Sequence, residues 1–225
     1  DSKPVRRIAF FQCVGSRDKN HCNNEYCSSV CCMYAIKEAI TVRESNPEVE
    51  VSIFYTDMRT HGKDFDRYYE RARDVFGVNF IRSRVHGVEP KGNKGDLRLH
   101  YINAYGKQVE EVFDLVVLSV GLETPDAMLK LAEQIGIHMT PDRFASISAL
   151  MPVHTSKKGV FTCGAFNGPR DIPQSVIGGS AAAACISALL APARNTLTRM
   201  VPVPAEQDVY RQEPRIGVFV CHCGT

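Results

Sequence analysis

The sequence predicts an α/β fold, one half of a doubly wound, Rossmann-like parallel sheet interrupted by a cysteine-bearing loop. Three observations carry this. Apolar stretches of strand length recur at 7–14, 49–55, 78–85 and 114–120, with helical periodicity between the first three. A hairpin pattern at 97–112 precedes the last of them. After the first strand, where such sheets carry a glycine fingerprint, the chain reads Cys13-Val14-Gly15-Ser16-Arg17-Asp18 and runs into a cysteine-rich loop.

Arg7 to Val14 reads as a buried strand. After the polar loop, Ser28 or Ser29 is expected to cap a helix whose apolar positions Met33, Ile36 and Ile40 keep helical spacing and which Asn46-Pro47 ends. Val49, Val51, Ile53 and Tyr55 alternate as in a strand. Asp64 to Phe76 reads as a second helix, with Phe65, Tyr68, Tyr69 and Phe76 as contacts, and Val78 to Val85 as a short strand. Leu97 to Ala104 and Lys107 to Val112 form a hairpin turning at Tyr105-Gly106, and Asp114 to Val120 is a buried strand. Farther on, Asp126 to Gln134 reads as a short helix, Ile135 to Thr140 as a strand, and Ile177 to Leu190 as a long helix of small residues. Residues 191–212, with Pro192, Pro202 and Pro204, read as a linker, and Arg215 to Val220 restarts a strand.

Hydrophobic content of 44% and charged content of 23% are those of a soluble globular protein. A net charge of +2 gives no reason to expect nucleic acid or an acidic membrane as partner. No apolar run has the length of a membrane span; Ala181 to Leu190 is too short. Nine cysteines without secretory features point to a reducing, cytoplasmic compartment. The chain starts without Met and stops at Cys221-His222-Cys223-Gly224-Thr225, just after an apolar strand, so a piece of a longer protein is expected.

Five of the cysteines lie between residues 13 and 32. Cys13, Cys27, Cys31 and Cys32 are the candidate ligands. A disulfide framework suits small secreted domains, not a chain of this length. Zinc needs four donors around one ion, usually in two close pairs, and only Cys27 and Cys31 fit loosely. On a helix the neighbours Cys31 and Cys32 point about 100° apart, which suits two irons of a [4Fe–4S] cluster better than one ion. Reduced structural or redox thiols are the third reading. Cys22, in the polar loop His21-Cys22-Asn23-Asn24-Glu25, is read as a bystander. Asp57 sits where a ribose-binding acid lies in a dinucleotide site; without the glycine turn it is read as a solvated loop acid. Lys37 borders the apolar stripe of the cysteine helix, where a lysine ordinarily snorkels to solvent.

The string Cys13-Val14-Gly15-Ser16-Arg17-Asp18 … Tyr26-Cys27-Ser28-Ser29-Val30-Cys31-Cys32-Met33-Tyr34-Ala35-Ile36-Lys37 resembles the A subunit of heterodisulfide reductase, an iron–sulfur flavoprotein on a thioredoxin-reductase-like fold. The resemblance runs to about residue 200, and Cys221-His222-Cys223-Gly224 is similar to the opening of that family's N-terminal domain. It implies a partial two-dinucleotide-binding flavoprotein fold. Residues 1–122 would be a nucleotide-domain-like unit carrying the cluster loop, 123–200 the C-terminal part of an FAD-binding domain, 201–214 a linker and 215–225 the start of a further domain. Gly159-Val160-Phe161-Thr162-Cys163-Gly164 resembles the flavoprotein segment in which a strand ends at a glycine beside FAD, although Ala165 stands where an acid usually binds the ribityl chain. The resemblance places Gly164, Ala165, Ile172, Pro173, Gln174 and Ser175 at a partial FAD site, and Lys37 near the flavin ring as a tuning charge. Cys163 and Cys185 are read as core thiols, and Cys221 and Cys223 as weak ligand candidates.

The implied function is electron transfer between FAD and a [4Fe–4S] cluster, in flavin-based bifurcating form or as a simple relay. The implied partners are other heterodisulfide reductase-like subunits and ferredoxin or a hydrogenase- or formate-dehydrogenase-type donor. The alternative is a zinc-stabilised, noncatalytic interaction domain on a nucleotide-binding-like fold. A third class, an NADPH-dependent disulfide reductase, is disfavoured because neither GxGxxG nor CxxC is present.

Overall fold

Arg7–Val14 forms strand β1, as its apolar run requires, and every later element of the sheet is built beside it. The computed structural model describes residues 4–92 and 95–221. After β1 come one helical turn, α1 (Lys19–Cys22), a long helix, α2 (Cys31–Ser45), strand β2 (Glu50–Tyr55), helix α3 (Phe65–Asp74) and strand β3 (Asn79–Arg82). Then follow β4 (Gly87–Lys91), β5 (Asp96–Ile102), β6 (Gln108–Phe113) and β7 (Leu115–Val120), and finally α4 (Asp126–Ile135) and α5 (Ile172–Leu190). The chain divides into two compact units, one through Leu189 and one from Leu190.

The parallel sheet has the order β3-β2-β1-β7, and β4-β5-β6 make a separate antiparallel meander. On one face, Ala35, Ile36 and Ile40 of α2 pack on Phe10, Val51 and Ile53. On the other, Ala9 and Phe54 meet Leu99, Tyr101 and Phe113 of the meander, with the Phe54 ring edge-on to Tyr101 at 5.0 Å. Coverage on both faces corrects the alternating pattern expected for 49–55: Val51, Ser52, Ile53 and Phe54 are all buried, as in a central parallel strand. Wholly buried side chains such as Ile36 and Ile53 are each worth ~1.5–3 kcal/mol by area. Arg7 ties the layers together: its guanidinium reaches Glu50 and Glu111, each at 2.9 Å, and lies 4.5 Å from the Phe113 ring centre.

Several expected elements differ. Neither Ser28 nor Ser29 caps α2; Val30 is its N-cap and offers no side-chain bond, because the Ser28 hydroxyl is taken by the Leu122 N–H at 2.9 Å. The 78–85 strand contracts to β3, and β4 is an addition, since its residues show no apolar alternation. Ile135–Thr140 is no strand: Ile135 ends α4, and Gly136 closes it in the left-handed region at φ +77°. Met139 makes only an isolated bridge to Ala145, and Phe161 one to His154. Arg215–Val220 forms no strand and is exposed; Cys223 lies outside the described residues.

Helix α5 starts five residues before Ile177. Asp171 accepts from the Gln174 N–H at 2.8 Å while Gln174 Oε1 accepts from the Asp171 N–H at 3.2 Å, a reciprocal cap that extends the helix back to Ile172. With this extension Ile172–Ala193 is long and apolar enough to cross a membrane by length and composition, which corrects the expectation of a shorter run. Only Gly178 and Ala182 of α5 are buried.

Candidate metal centre

Cys13 reaches the site through a bulge. Phe11 pairs with Leu118 and Val14 with Val120, so β1 carries one residue more than β7 between these points. Cys13 sits in that extra length at φ +62°, a left-handed conformation costly for a residue with a Cβ. Seven described non-glycine residues have positive φ, and four of them (Cys13, Arg17, Asn23 and Ser29) lie in this one loop. Strain gathered here marks a segment whose geometry is fixed by its surroundings.

The loop folds back on itself. The Arg17 N–H donates to Tyr26 O at 2.9 Å and the Asp18 N–H to Asn24 O at 2.8 Å, with α1 at the tip capped by Asp18. Its return is fastened to the end of β7. The Tyr26 hydroxyl donates to Leu122 O at 2.8 Å, and the Leu122 N–H donates to the wholly buried Ser28 hydroxyl. Gly121 makes this approach possible, because a Cβ there would overlap the Ser28 hydroxyl and crowd Ser16. The loop therefore lies at the C-terminal end of β1, in the place of the nucleotide-binding glycine turn.

Cys31 and Cys32 are the first two residues of α2, 1% and 4% exposed, at its positive end. Cys13 is 7% exposed and Cys27 half-buried. All four are free thiols. Those of Cys13, Cys31 and Cys32 are close enough to hydrogen-bond in series, and Cys27 lies within electrostatic reach of Cys32. The contact with Cys31, then burial, pushes the Cys13 thiol far up. For Cys31 the Cys13 contact pulls down, but Cys32 and burial prevail and push it up to about 11. The Cys31 contact, helped by the Arg59 N–H, lowers Cys32 against the effect of burial, so Cys32 is the first of this series to ionise.

Positive groups surround the sulfurs. The Arg17 guanidinium acts to lower the Cys13 thiol and the Arg59 N–H to lower Cys32, and the Ser29 N–H donates to Cys27 Sγ at 3.3 Å. Asp57 lies between Arg17 and Arg59, with Arg59 Nε at 3.0 Å, and the two guanidiniums hold its carboxyl below the usual range. This corrects the reading of Asp57 as a solvated loop acid. Sequence spacing missed both arginines, since Arg17 and Asp57 meet only across 40 residues of chain.

Among the described residues, no three cysteine, histidine or carboxylate groups meet the geometry of a single-ion site. The donor chemistry fits an iron–sulfur cluster: four free thiols, three of them buried, with the Ser29 N–H on Cys27 Sγ and the Arg17 and Arg59 charges acting on Cys13 and Cys27. Cys22 is exposed and shares with Cys13 a cleft of about 260 Å³ at the ends of β1 and β2.

The other expected site residues gather elsewhere. Gly164, at φ +69°, opens a short 3₁₀ turn that includes Ala165, and Ser175 in the first turns of α5 lies beside it. Gly178 packs α5 on Cys163 and Gly164, where an added Cβ would stand 3.4 Å from Cys163 Cβ. Ile172, Pro173 and Gln174 form the exposed first turn. Cys163 is exposed and Cys185 half-buried, so neither is the core thiol expected. Lys37 is exposed and lines a groove of about 580 Å³ with Phe10, Tyr34, Leu115 and Val117, a lining that includes none of the residues around Gly164.

No protein-family model matches the chain. It is 45% identical over 194 residues to the iron-sulfur A subunit, form 2, of the CoB–CoM heterodisulfide reductase of Methanopyrus kandleri, covering 85% of this chain and 29% of that protein. It is 39% identical over 189 residues to the A subunit of the H(2):CoB-CoM heterodisulfide,ferredoxin reductase of Methanothermobacter thermautotrophicus, covering 82% of this chain and 28% of that one. The fold matches the crystal structure of LpdA from Mycobacterium tuberculosis with a TM-score of 0.50 at 14% identity, over 84% of this chain and 35% of that one. The fold is thus α/β and Rossmann-like, a partial version of a larger architecture. Spanning somewhat under a third of the length of the relatives it matches, the chain belongs to the family of heterodisulfide reductase A subunits.

Proposed function

We propose that this chain is the cluster-bearing, electron-transferring part of an oxidoreductase subunit of the heterodisulfide reductase type, in which Cys13, Cys27, Cys31 and Cys32 hold a [4Fe–4S] cluster. The observation that supports it most strongly is the placement of four free thiols at one end of β1, on a strand bulge, the returning loop and the first turn of α2. A bound cluster would supply a one-electron acceptor and donor. The residues of the chain do the rest. Gly121 and Ser28 fasten the loop, the buried walls of β1 and α2 exclude water from Cys13, Cys31 and Cys32, and the helix N-terminus sets its positive end at Cys31 and Cys32.

Gly164, Ala165, Ile172, Pro173, Gln174 and Ser175 form one wall of an FAD site in this proposal. Their support is the close packing of α5 on Gly164 and the exposed first turn of a long helix, whose N-terminal dipole suits a flavin that gains negative charge on reduction. Lys37 adds a positive charge to the same chemistry. Other heterodisulfide reductase-like subunits and ferredoxin, the latter from the Methanothermobacter relative's name, are the proposed partners, and the cytoplasm the proposed location. Bifurcation is the finer form of the reading: one electron to a disulfide-reducing partner, one to ferredoxin.

Anaerobic reconstitution followed by iron and acid-labile sulfide analysis and EPR of the reduced sample tests the proposal. A reduced-cluster signal that is lost in serine variants of the four cysteines, and kept in Cys22→Ser, is expected. Stoichiometric zinc without sulfide would overturn it.

A further inference from the structure

Resting on the cluster reading above, we propose that Arg17, Asp57 and Arg59 form a charge clamp that sets the reduction potential of the group held by the four cysteines. Asp57 follows β2 by two residues and stands between the two guanidiniums, bonded to Arg17 on one side and to Arg59 on the other. Each arginine also reaches the sulfurs. Arg17 stands four residues after Cys13 in the same loop, with its charge acting on the Cys13 thiol, and Arg59, held to Asp57 at 3.0 Å, sets its charge near Cys27. The clamp brings two positive charges and one negative to a site whose four thiolates are all negative. The surplus positive charge favours the form that carries one more electron, and so raises the potential.

Geometry argues for a built clamp over a chance surface pair. The side chains of Arg17, Asp57 and Arg59 are only 25%, 41% and 36% exposed. Arg17 is also held by its main chain, in the left-handed region at φ +55° with its N–H on Tyr26 O. By contrast, the ion pair Arg73–Asp74 on α3 lies outside this group and provides a control of like charge.

The test is a redox titration of the reconstituted full chain by EPR, in which a chemical reductant such as dithionite delivers one electron to the cluster. Arg59→Gln leaves the main chain in place and removes the charge together with its bond to Asp57. It is expected to leave iron content unchanged and to weaken the reduced form about tenfold, about 59 mV downward for a one-electron couple. Arg17→Gln shifts the potential in the same direction, Arg59→Lys restores most of it, and Arg73→Gln leaves it in place. If Arg17→Gln loses iron, Arg59→Gln alone decides. Unchanged potential in Arg59→Gln at wild-type iron content, or an equal shift in Arg73→Gln, overturns the clamp while the cluster reading stands. A wild-type chain that takes up no iron and sulfide overturns the cluster reading, and the clamp with it.

Discussion

Around the cysteines Cys13, Cys31 and Cys32 are buried, whereas along α5 only Gly178 and Ala182 of nineteen residues are. At the first site the loop is cross-braced by Tyr26, Ser28 and Asp57, and Cys31 is 1% exposed. At the second, Ile172, Val176 and Ile177 are 80%, 63% and 68% exposed. A site closed by its own chain can hold its donors in strained conformations, because the surrounding packing fixes them. A helix seated through one close glycine contact presents only one wall. Cys13, Cys31 and Cys32 are therefore held in place by their own chain, while the Gly164–Ser175 group leaves an exposed wall.

That contrast can be broken by substitution. The largest effect is expected at the cysteines: Cys31→Ser or Cys32→Ser should abolish stable cluster retention, read as iron and sulfide per chain after desalting. Next comes the core beneath them. Ile36→Ala should cost ~2–5 kcal/mol in urea unfolding, since Ile36 is wholly buried against the sheet. Gly121→Ala forces a Cβ onto the Ser28 hydroxyl and should cost ~1–3 kcal/mol, with a matching loss of iron retention. On the second site, Asp171→Ala removes the cap of α5 and should cost ~1 kcal/mol without changing iron content. Ile177→Ser, on the exposed face, should change stability by no more than ~0.5 kcal/mol. A loss as large as that of Ile36→Ala would show that the exposed face of α5 is packed after all.

Local signals are legible in the sequence. β1 carries an unbroken apolar run and reads at its observed bounds; the spacing of Met33, Ile36 and Ile40 marks α2; Gly106 marks the hairpin turn. Long-range uses of a residue are not. Ser28 reads as a helix cap but spends its hydroxyl on a backbone group 94 residues away. Gly136 falls within an apparent strand and is the stop of a helix, because the left-handed cap it permits outweighs the short apolar run around it. At the candidate site, the four cysteines are legible by type and spacing. Their convergence is not, since Cys13 arrives through a bulge that no local pattern encodes. Arg17 and Arg59 are invisible for the same reason: their shared partner, Asp57, comes beside Arg17 only after β1 and β2 pair.

The iron-to-sulfide stoichiometry and Mössbauer spectrum of the anaerobically reconstituted chain test the central claim most directly. The account predicts about four iron and about four sulfide per chain in a single delocalised cluster environment, lost in the Cys31→Ser/Cys32→Ser double variant. Iron without sulfide, or a cluster that survives in that double variant, would contradict it.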